Sequence, residues 1–350
     1  MTASLLQRLG VALPIIQGPM TGSDSPALAA AVSAGGGLGS LGCGMRSPAA
    51  MREAAAAVRA ATRQPFAMNL FVQPTPQPDS AQVQQAMQRL APLYARFGAK
   101  PTLPAQWCED FETQLSTLIE LQPAVASFTF GILSAPQVER LHTAGCQVWG
   151  TATTTAEALA WQAVGADAVI ASGCEAGGHR GTFLADYASS MVSTLPLVRD
   201  CVLQLQIPVI AAGGIMDGAG IAAALALGAQ AVQMGTAFLV CPESTINTAY
   251  RAALASASAA DTVTTRTISG RPARGIRNAM IDTLEADEAH IPAYPIQNTL
   301  TGALRKLAGA AGDAQYLSLW AGQGVAQARA MPAAALLQQL KDEWRAAGGQ

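Results

Sequence analysis

The stretch PVIAAGGIMDGAGIAAALALGAQAVQMGTAFL, residues 208–239, holds one complete strand–helix–strand unit. Residues 208–213 form an apolar run that breaks into Gly213-Gly214, and Asp217 precedes an Ala/Leu-rich segment over 218–227. Gly228 follows that segment at once, and a second apolar run covers 231–239. An Asp before a helix accepts the first free N–H groups, and a Gly after it adopts the left-handed turn that ends the helix. Runs apolar on both faces are those of parallel strands covered by helices.

The same alternation extends through most of the chain. Further strands are expected over 14–20, 38–43, 66–72, 124–131, 146–151 and 168–172, with helices over 25–34, 48–62, 135–144, 155–164 and around 191–204. Eight strands with intervening helices predict an α/β fold of the (β/α)8 TIM-barrel type. A doubly wound sheet is the alternative, disfavoured because no strand leads into a G-x-G-x-x-G that opens a helix. Two regions fall outside the repeat. Residues 73–122 form an insertion after strand three, opening on Pro74-Thr75-Pro76-Gln77-Pro78 and continuing in helical patterns over 80–97 and 110–121. The domain reading is a barrel over 1–240 that includes this insertion, and a segment over 241–350 that completes the barrel and covers its mouth.

Composition narrows the class. Half of the 350 residues are apolar and 13% are charged, so a large core forms and extensive disorder does not. A net charge of −2 with no basic stripe gives no electrostatic support for nucleic-acid binding. The six cysteines lack any C-x-x-C pair, which fits reduced thiols and no metal site. Residues 1–10 lack a leader pattern, and the most apolar helical run is too short to span a bilayer. The expectation is a soluble cytoplasmic protein, monomer or homodimer, without membrane contact.

In a barrel the C-terminal strand ends converge on one mouth. Here they carry Gln17-Gly18-Pro19-Met20, Asn69, Thr129, Ser172 through His179, Gly213-Gly214, and Gln233-Met234-Gly235-Thr236. Backbone N–H groups of Gly213, Gly214, Gly235 and Thr236 can point at one phosphate, with helix dipoles favouring its charge. Amides at Asn69 and Gln233 and a flat floor at Gly18-Pro19-Met20 describe an FMN site; a sugar-phosphate enzyme of the same fold is the alternative. His179, flanked by Gly177, Gly178 and Gly181, titrates near neutrality when unperturbed and lies where the chemistry belongs. Trp320 either covers the cofactor or anchors the tail.

These strings, with Phe66-Ala67-Met68-Asn69-Leu70-Phe71, Ser127-Phe128-Thr129-Phe130-Gly131 and Trp320-Ala321-Gly322-Gln323-Gly324, resemble the class I nitronate monooxygenases along nearly the whole chain and in the family's order. The resemblance implies FMN contacts at Gln17, Gly18, Pro19, Met20, Asn69, Ser172, Gly177, Gly178, Gly214 and Gln233 through Thr236, with Gly322 and Gln323 reaching the flavin from the C-terminal region. It implies His179 as catalytic base and Tyr294 on the substrate side. It also implies oxidation of a nitronate or nitroalkane by single-electron transfer to the flavin, with O2 and without NAD(P)H. Four positions depart from the family: Ser172 stands where members often carry glutamine, Thr129 where many relatives carry histidine, and Asn298 and Gly302 where a tyrosine and a lysine are expected. The missing lysine predicts a preference for neutral-tailed or larger nitronates over propionate 3-nitronate. The rival functions are an FMN-dependent NAD(P)H quinone or enoyl-thioester reductase of the same superfamily, and a flavin-binding protein without turnover.

Overall fold

A computed structural model describes residues 5–349; Met1–Ser4, part of the stretch read for a leader, lie outside it. Eight parallel strands form the barrel: β1 (Ile15–Gln17), β2 (Gly39–Gly42), β3 (Phe66–Phe71), β4 (Val125–Thr129), β5 (Gln147–Ala152), β6 (Ala168–Ser172), β8 (Val209–Ala212) and β9 (Ala231–Met234). The sheet runs β1-β9-β8-β6-β5-β4-β3-β2. It closes where Ile16 bridges Leu38, through Gln17 N–H to Leu38 O at 2.9 Å and Leu38 N–H to Ile15 O at 3.0 Å. This is the predicted TIM-barrel fold. Ile16, Leu38, Ala67, Trp149, Ile170 and Ile210 belong to one buried cluster, while the opposite faces of the strands pack under the helices.

The helices start where the sequence places caps. Ser25 and Ser47 precede Pro26 and Pro48, and each hydroxyl accepts a first-turn N–H, from Leu28 at 3.0 Å and Ala50 at 3.3 Å. Proline costs nothing at such a position because its missing N–H has no helical partner there. The C-terminal helix Ala333–Ala346 packs on helices Gly218–Ala226 and Pro26–Ala34, so it fills the outer ring between the seventh and first units. Among the described residues no helix is long and apolar enough to cross a membrane.

Three details differ from the expected pattern. The last barrel strand stops at Met234, and after Gly235 the chain turns into a short helix, Thr236–Leu239, within the apolar run read as strand. Apolar continuity cannot separate a buried strand from a buried helical turn. The helix expected around 191–204 begins at Thr194. Three short strands were not foreseen: β7 (Gly178–His179), β10 (Thr262–Thr265) and β11 (Ala273–Ile276), joined antiparallel in the order β10-β11-β7.

The insertion and the C-terminal segment share a second core. Val83, Leu90 and Tyr94 of helix Ser80–Ala95 pack with Tyr250, Leu254, Met280 and Leu304. The Tyr94 hydroxyl donates to Leu300 O at 2.6 Å and accepts Leu304 N–H at 3.2 Å. Two stretches far apart in sequence therefore share one hydrophobic core.

Candidate active site

The C-terminal strand ends open into a cavity of about 750 Å³, in the upper part of the ~300–1,000 Å³ range of small-molecule sites. Gly18, Pro19 and Met20 after β1, Asn69 on β3, Thr129 on β4 and Ser172 on β6 line it. So do Gly213 and Gly214 after β8, Gln233 and Met234 on β9, and Gly235 and Thr236 beyond. Gly177, Gly178, His179, Tyr294 and Gly322 complete the anticipated set.

Gln17 and Gln323 are not among the lining residues. The buried Gln17 amide donates to Gly18 O and accepts Ser40 N–H at 2.9 Å, which ties β1 to β2 beneath the Gly18 turn. Gln323 gives its backbone N–H to Glu175 O at 2.9 Å, joining the C-terminal segment to the loop after β6.

One rim of the cavity is built almost wholly of backbone. Among the described residues the N–H groups of Gly213, Gly214 and Gly235 find no protein acceptor. Gly214 sits at φ +72°, and a Cβ there would lie 3.2 Å from the Glu175 Cβ. Behind it the loops lock together: Gly322 N–H donates to the Thr236 hydroxyl at 2.9 Å, and the Glu175 carboxylate accepts the Thr194 hydroxyl at 2.8 Å. The Gln233 amide has no hydrogen-bond partner among the described residues, whereas the Asn69 amide donates to Ser127 Oγ at 3.0 Å and Thr129 Oγ1 at 3.3 Å. Thr129 also lies 3.3 Å from the Thr151 hydroxyl.

His179 lines the same cavity. Its strand β7 pairs with β11, Ala273 opposite His179, so barrel loop and C-terminal segment hold the ring together. Phe130 and Tyr294 meet the imidazole edge to face and Trp320 lies tilted against it, each with ring centroids 5.4 Å away. Burial, then the positive charges of Arg271 and Arg305, push its pKa down to about 3, so it is neutral at pH 7. Nε2 lies 2.9 Å from Ser269 Oγ, which is also 3.1 Å from Arg271 O. A carbonyl can only accept, so the serine proton goes to Arg271 O and Oγ accepts Nε2–H. Nδ1 is left with its lone pair. Phe130 holds φ +80°, unusual for a bulky residue and the kind of local strain found at functional sites. Its ring stacks on Phe71 at 4.3 Å and carries the Arg271 guanidinium 4.2 Å above it.

The remaining residues weighed from sequence sort clearly. Arg180 is buried and donates to Ser172 O, Gly173 O and Ser190 O, a structural role. Arg271 grips Arg180 O and Thr182 O, and Arg274 holds Cys174 O at 2.9 Å, so both clamp the C-terminal segment to the barrel. Burial raises the Cys174 thiol pKa, as for a packing residue. Asp217 caps its helix through Gly220 N–H at 2.8 Å, and His142 pairs with Asp167 at 2.8 Å on the surface. His290 gives its carbonyl to Arg89.

Sequence reasoning missed Ser269, Phe130 and Arg305 as neighbours of the histidine. Only the β-branched run Thr262-Val263-Thr264-Thr265 hinted at the sheet that brings Ser269 close. Arg305 lines the cavity one helical turn beyond Gly302. Asp24 and Arg46, also on the lining, form an ion pair of 3.1 Å whose carboxylate accepts Met20 N–H and Gly42 N–H at 2.7 Å each.

A family model described as nitronate monooxygenase matches residues 3–343. The chain is 46% identical to a nitronate monooxygenase of Pseudomonas aeruginosa across 99% of its own length and 100% of that protein. It is 44% identical to one of Paraburkholderia phytofirmans, over 97% and 94% of the two chains. Among solved structures, a nitroalkane oxidase from Streptomyces ansochromogenes superposes with a TM-score of 0.90 at 40% identity, covering 98% of each chain. FabK from Thermotoga maritima follows this fold with a TM-score of 0.76 at 30% identity, over 99% and 97%.

Proposed function

The chain belongs to the nitronate monooxygenase family and is an enzyme, and from that premise we propose that it oxidises nitronates with FMN bound in the cavity and O2 as co-substrate. The observation that carries this reading is the presence, in one cavity, of a neutral histidine and a rim of unspent backbone N–H groups.

The residues present suit FMN. Gly213, Gly214 and Gly235 would give their N–H groups to its phosphate, with Thr236, Gly177 and Gly322 backing that rim. The Gln233 amide is available to a ring or ribityl oxygen, and Asn69 and Ser172 border the same space. Pro19, Met20 and Met234 offer apolar surface, and a Cβ on Gly178 would meet nothing within 4 Å, so a flat group can lie close. Gln17 and Gln323 would act from behind, by fixing the Gly18 turn and the loop at Glu175. When bound, the flavin would supply the electron acceptor for the substrate and pass those electrons to O2.

The protein's own tasks follow from its geometry. An imidazole with a pKa near 3 is a feeble base toward a neutral nitroalkane, since general bases work best with a pKa near the operating pH. A preformed nitronate needs no such base. Its negative charge is favoured by the guanidiniums of Arg271 and Arg305, the charges that keep His179 neutral. Burial raises the pKa of the Tyr294 phenol, so it stays protonated and can donate to a nitronate oxygen. An anion beside His179 would lift that ring's pKa and let Nδ1 take a proton and become a donor too. Thr129 can donate a hydrogen bond but cannot serve as a base. Phe130, Tyr294 and Trp320 exclude water from the reacting face.

The test is the visible spectrum of the purified protein, followed by anaerobic mixing. Retained FMN that bleaches with ethyl nitronate and not with NADH supports the proposal. Bleaching by NADH alone would establish the reductase alternative, and a protein that cannot be loaded with FMN would overturn the cofactor reading.

A further inference from the structure

Met20 lines the cavity, and its backbone is fully engaged in one short turn. Its carbonyl accepts Ser23 N–H at 2.7 Å and Asp24 N–H at 2.8 Å, and its own N–H donates to Asp24 Oδ2 at 2.7 Å. The same oxygen accepts Gly42 N–H at 2.7 Å from the end of β2. Asp24 Oδ1 accepts from Arg46 Nη2 at 3.1 Å. One carboxylate, wholly shielded from solvent, therefore joins the loop after β1, the end of β2 and the loop after β2. Met20, Asp24, Met45 and Arg46 all face the cavity, and the oxidation itself uses neither member of the ion pair.

The junction is tightly built. A Cβ on Gly42 would come within 2.6 Å of Thr21 N and Oγ1 and 2.9 Å of Asp24 Oδ2, so strand end and loop meet only because residue 42 is glycine. Arg46 also donates Nε–H to Gly42 O at 3.2 Å, and the Gln114 amide of helix Phe111–Leu121 holds Cys43 O at 3.1 Å and Arg46 O at 2.8 Å. Asp24 directly precedes Ser25, the cap of helix Pro26–Ala34. Charged neighbours are few. Arg46 attracts the carboxylate, the buried Cys43 thiol stays neutral with its pKa pushed up to about 12, and residues 18–23 and 26–34 carry no charge. Glu243 meets Ser25 through its carbonyl, while its carboxylate accepts Ala333 N–H. Burial outweighs the hydrogen bonds and lifts the Asp24 pKa from 3.8 to about 6, so the group is ionised at pH 7 and protonated in mild acid.

We propose that Asp24, aligned by Arg46, is a positioning residue of the flavin site: its carboxylate fixes where the Met20 turn stands against the bound cofactor. This rests on the FMN reading above. The two oxygens divide the task. Oδ2 holds the Met20 and Gly42 N–H groups, and Oδ1 holds the guanidinium of the loop that carries Met45. Hydrogen bonds to a charged acceptor are stronger than neutral ones, so loss of the charge releases both loops. Asparagine keeps one carbonyl oxygen for the backbone donors but turns an NH2 group toward Arg46, donor against donor. It therefore copies the protonated acid.

The experiment follows flavin release from the FMN-loaded wild type, Asp24→Asn, Arg46→Gln and Arg46→Lys, by recovery of flavin fluorescence on dilution. At about pH 7.5, Asp24→Asn and Arg46→Gln should release FMN about 10-fold faster than wild type, and Arg46→Lys should recover part of the loss. From about pH 7.5 to about pH 5 the wild type should converge on Asp24→Asn, because the FMN phosphate and His179 are common to both. Riboflavin, which lacks the phosphate, should show the same acceleration, and the visible circular dichroism of the bound flavin should change in Asp24→Asn. Equal release rates and spectra in wild type and Asp24→Asn, even with a lowered unfolding temperature, overturn the proposal. So does a gap that acid leaves unchanged, or an acceleration confined to FMN, which would place Asp24 with the phosphate rim. Should Asp24→Asn fail to fold, Arg46→Gln, altered at a side chain that reaches solvent, decides by its release rates and spectrum. Should the wild type bind neither flavin, the cofactor reading fails. Hydrogen exchange of residues 18–24 then decides the positioning alone: faster exchange in Asp24→Asn supports it, and equal exchange overturns it.

Discussion

Replacing His179 with Gln should make the protein less sensitive to mild acid. In the fold the imidazole pKa is pushed from 6.5 to about 3 by burial and by two arginines. The folded value lies below the unfolded one, so the unfolded chain takes up the proton first as pH falls. Stability from this group is complete above pH 6.5 and drains away as pH drops toward 3. Each unit of pH within that window costs about 1.4 kcal/mol, so moving from about pH 7 to about pH 5 removes roughly 2 kcal/mol, an upper figure for a ring that borders a cavity. Glutamine cannot titrate. Urea unfolding of wild type and His179→Gln at several pH values, with equal flavin loading, isolates this contribution, because every other titratable group is common to both. The wild type should lose roughly 2 kcal/mol more than the variant over that span. Parallel pH dependences, or a wild-type kcat/KM profile on ethyl nitronate with a limb near the ordinary histidine pKa, would refute the neutral, desolvated histidine.

Three further perturbations test separate parts of the site. Ser269→Ala removes the acceptor for His179 Nε2–H and should lower kcat about 10-fold with little change in flavin affinity, Ser269→Thr recovering much of it; equal loss of flavin would point to a misfolded loop. Gly214→Ala forces a Cβ onto a residue at φ +72° and against Glu175, which costs on the order of 1–2 kcal/mol. Equilibrium dialysis should then find FMN bound several-fold more weakly, and unchanged retention would remove this rim from the phosphate site. Glu157 takes Thr153 N–H at 2.7 Å, Phe183 N–H at 2.6 Å and Leu184 N–H at 3.0 Å; burial alone would raise its pKa, and these donors more than offset that. Glu157→Gln leaves part of this set unmatched and should cost about 2–4 kcal/mol in urea unfolding, a loss that shrinks as acid protonates the wild-type carboxyl.

Much of this architecture is local in origin and was legible as such. Residues 208–239 contain their own stop and start signals, and Asp217, Gly228 and the double glycine act within a few residues of themselves. The same holds for Ser25-Pro26 and Ser47-Pro48. The boundary at Gly235 was misread because a buried strand and a buried helical turn demand the same apolar residues. The antiparallel sheet of β7, β10 and β11 was missed because two residues of β7 carry no periodicity, and their pairing depends on a segment 90 or more positions away.

The chain's pattern of apolar runs, caps and glycines was enough to specify a (β/α)8 barrel, and the order of its strand ends was enough to bring the glycine rim and His179 to one mouth. Periodicity and backbone conformation are properties of neighbouring residues, so they can be read along the chain. The protonation state of His179 and the freedom of its Nδ1 were decided only by the tertiary structure. Each depends on burial and Coulomb interaction acting through space, between groups such as Ser269, Arg271, Tyr294 and Arg305 that sequence separates and the fold assembles.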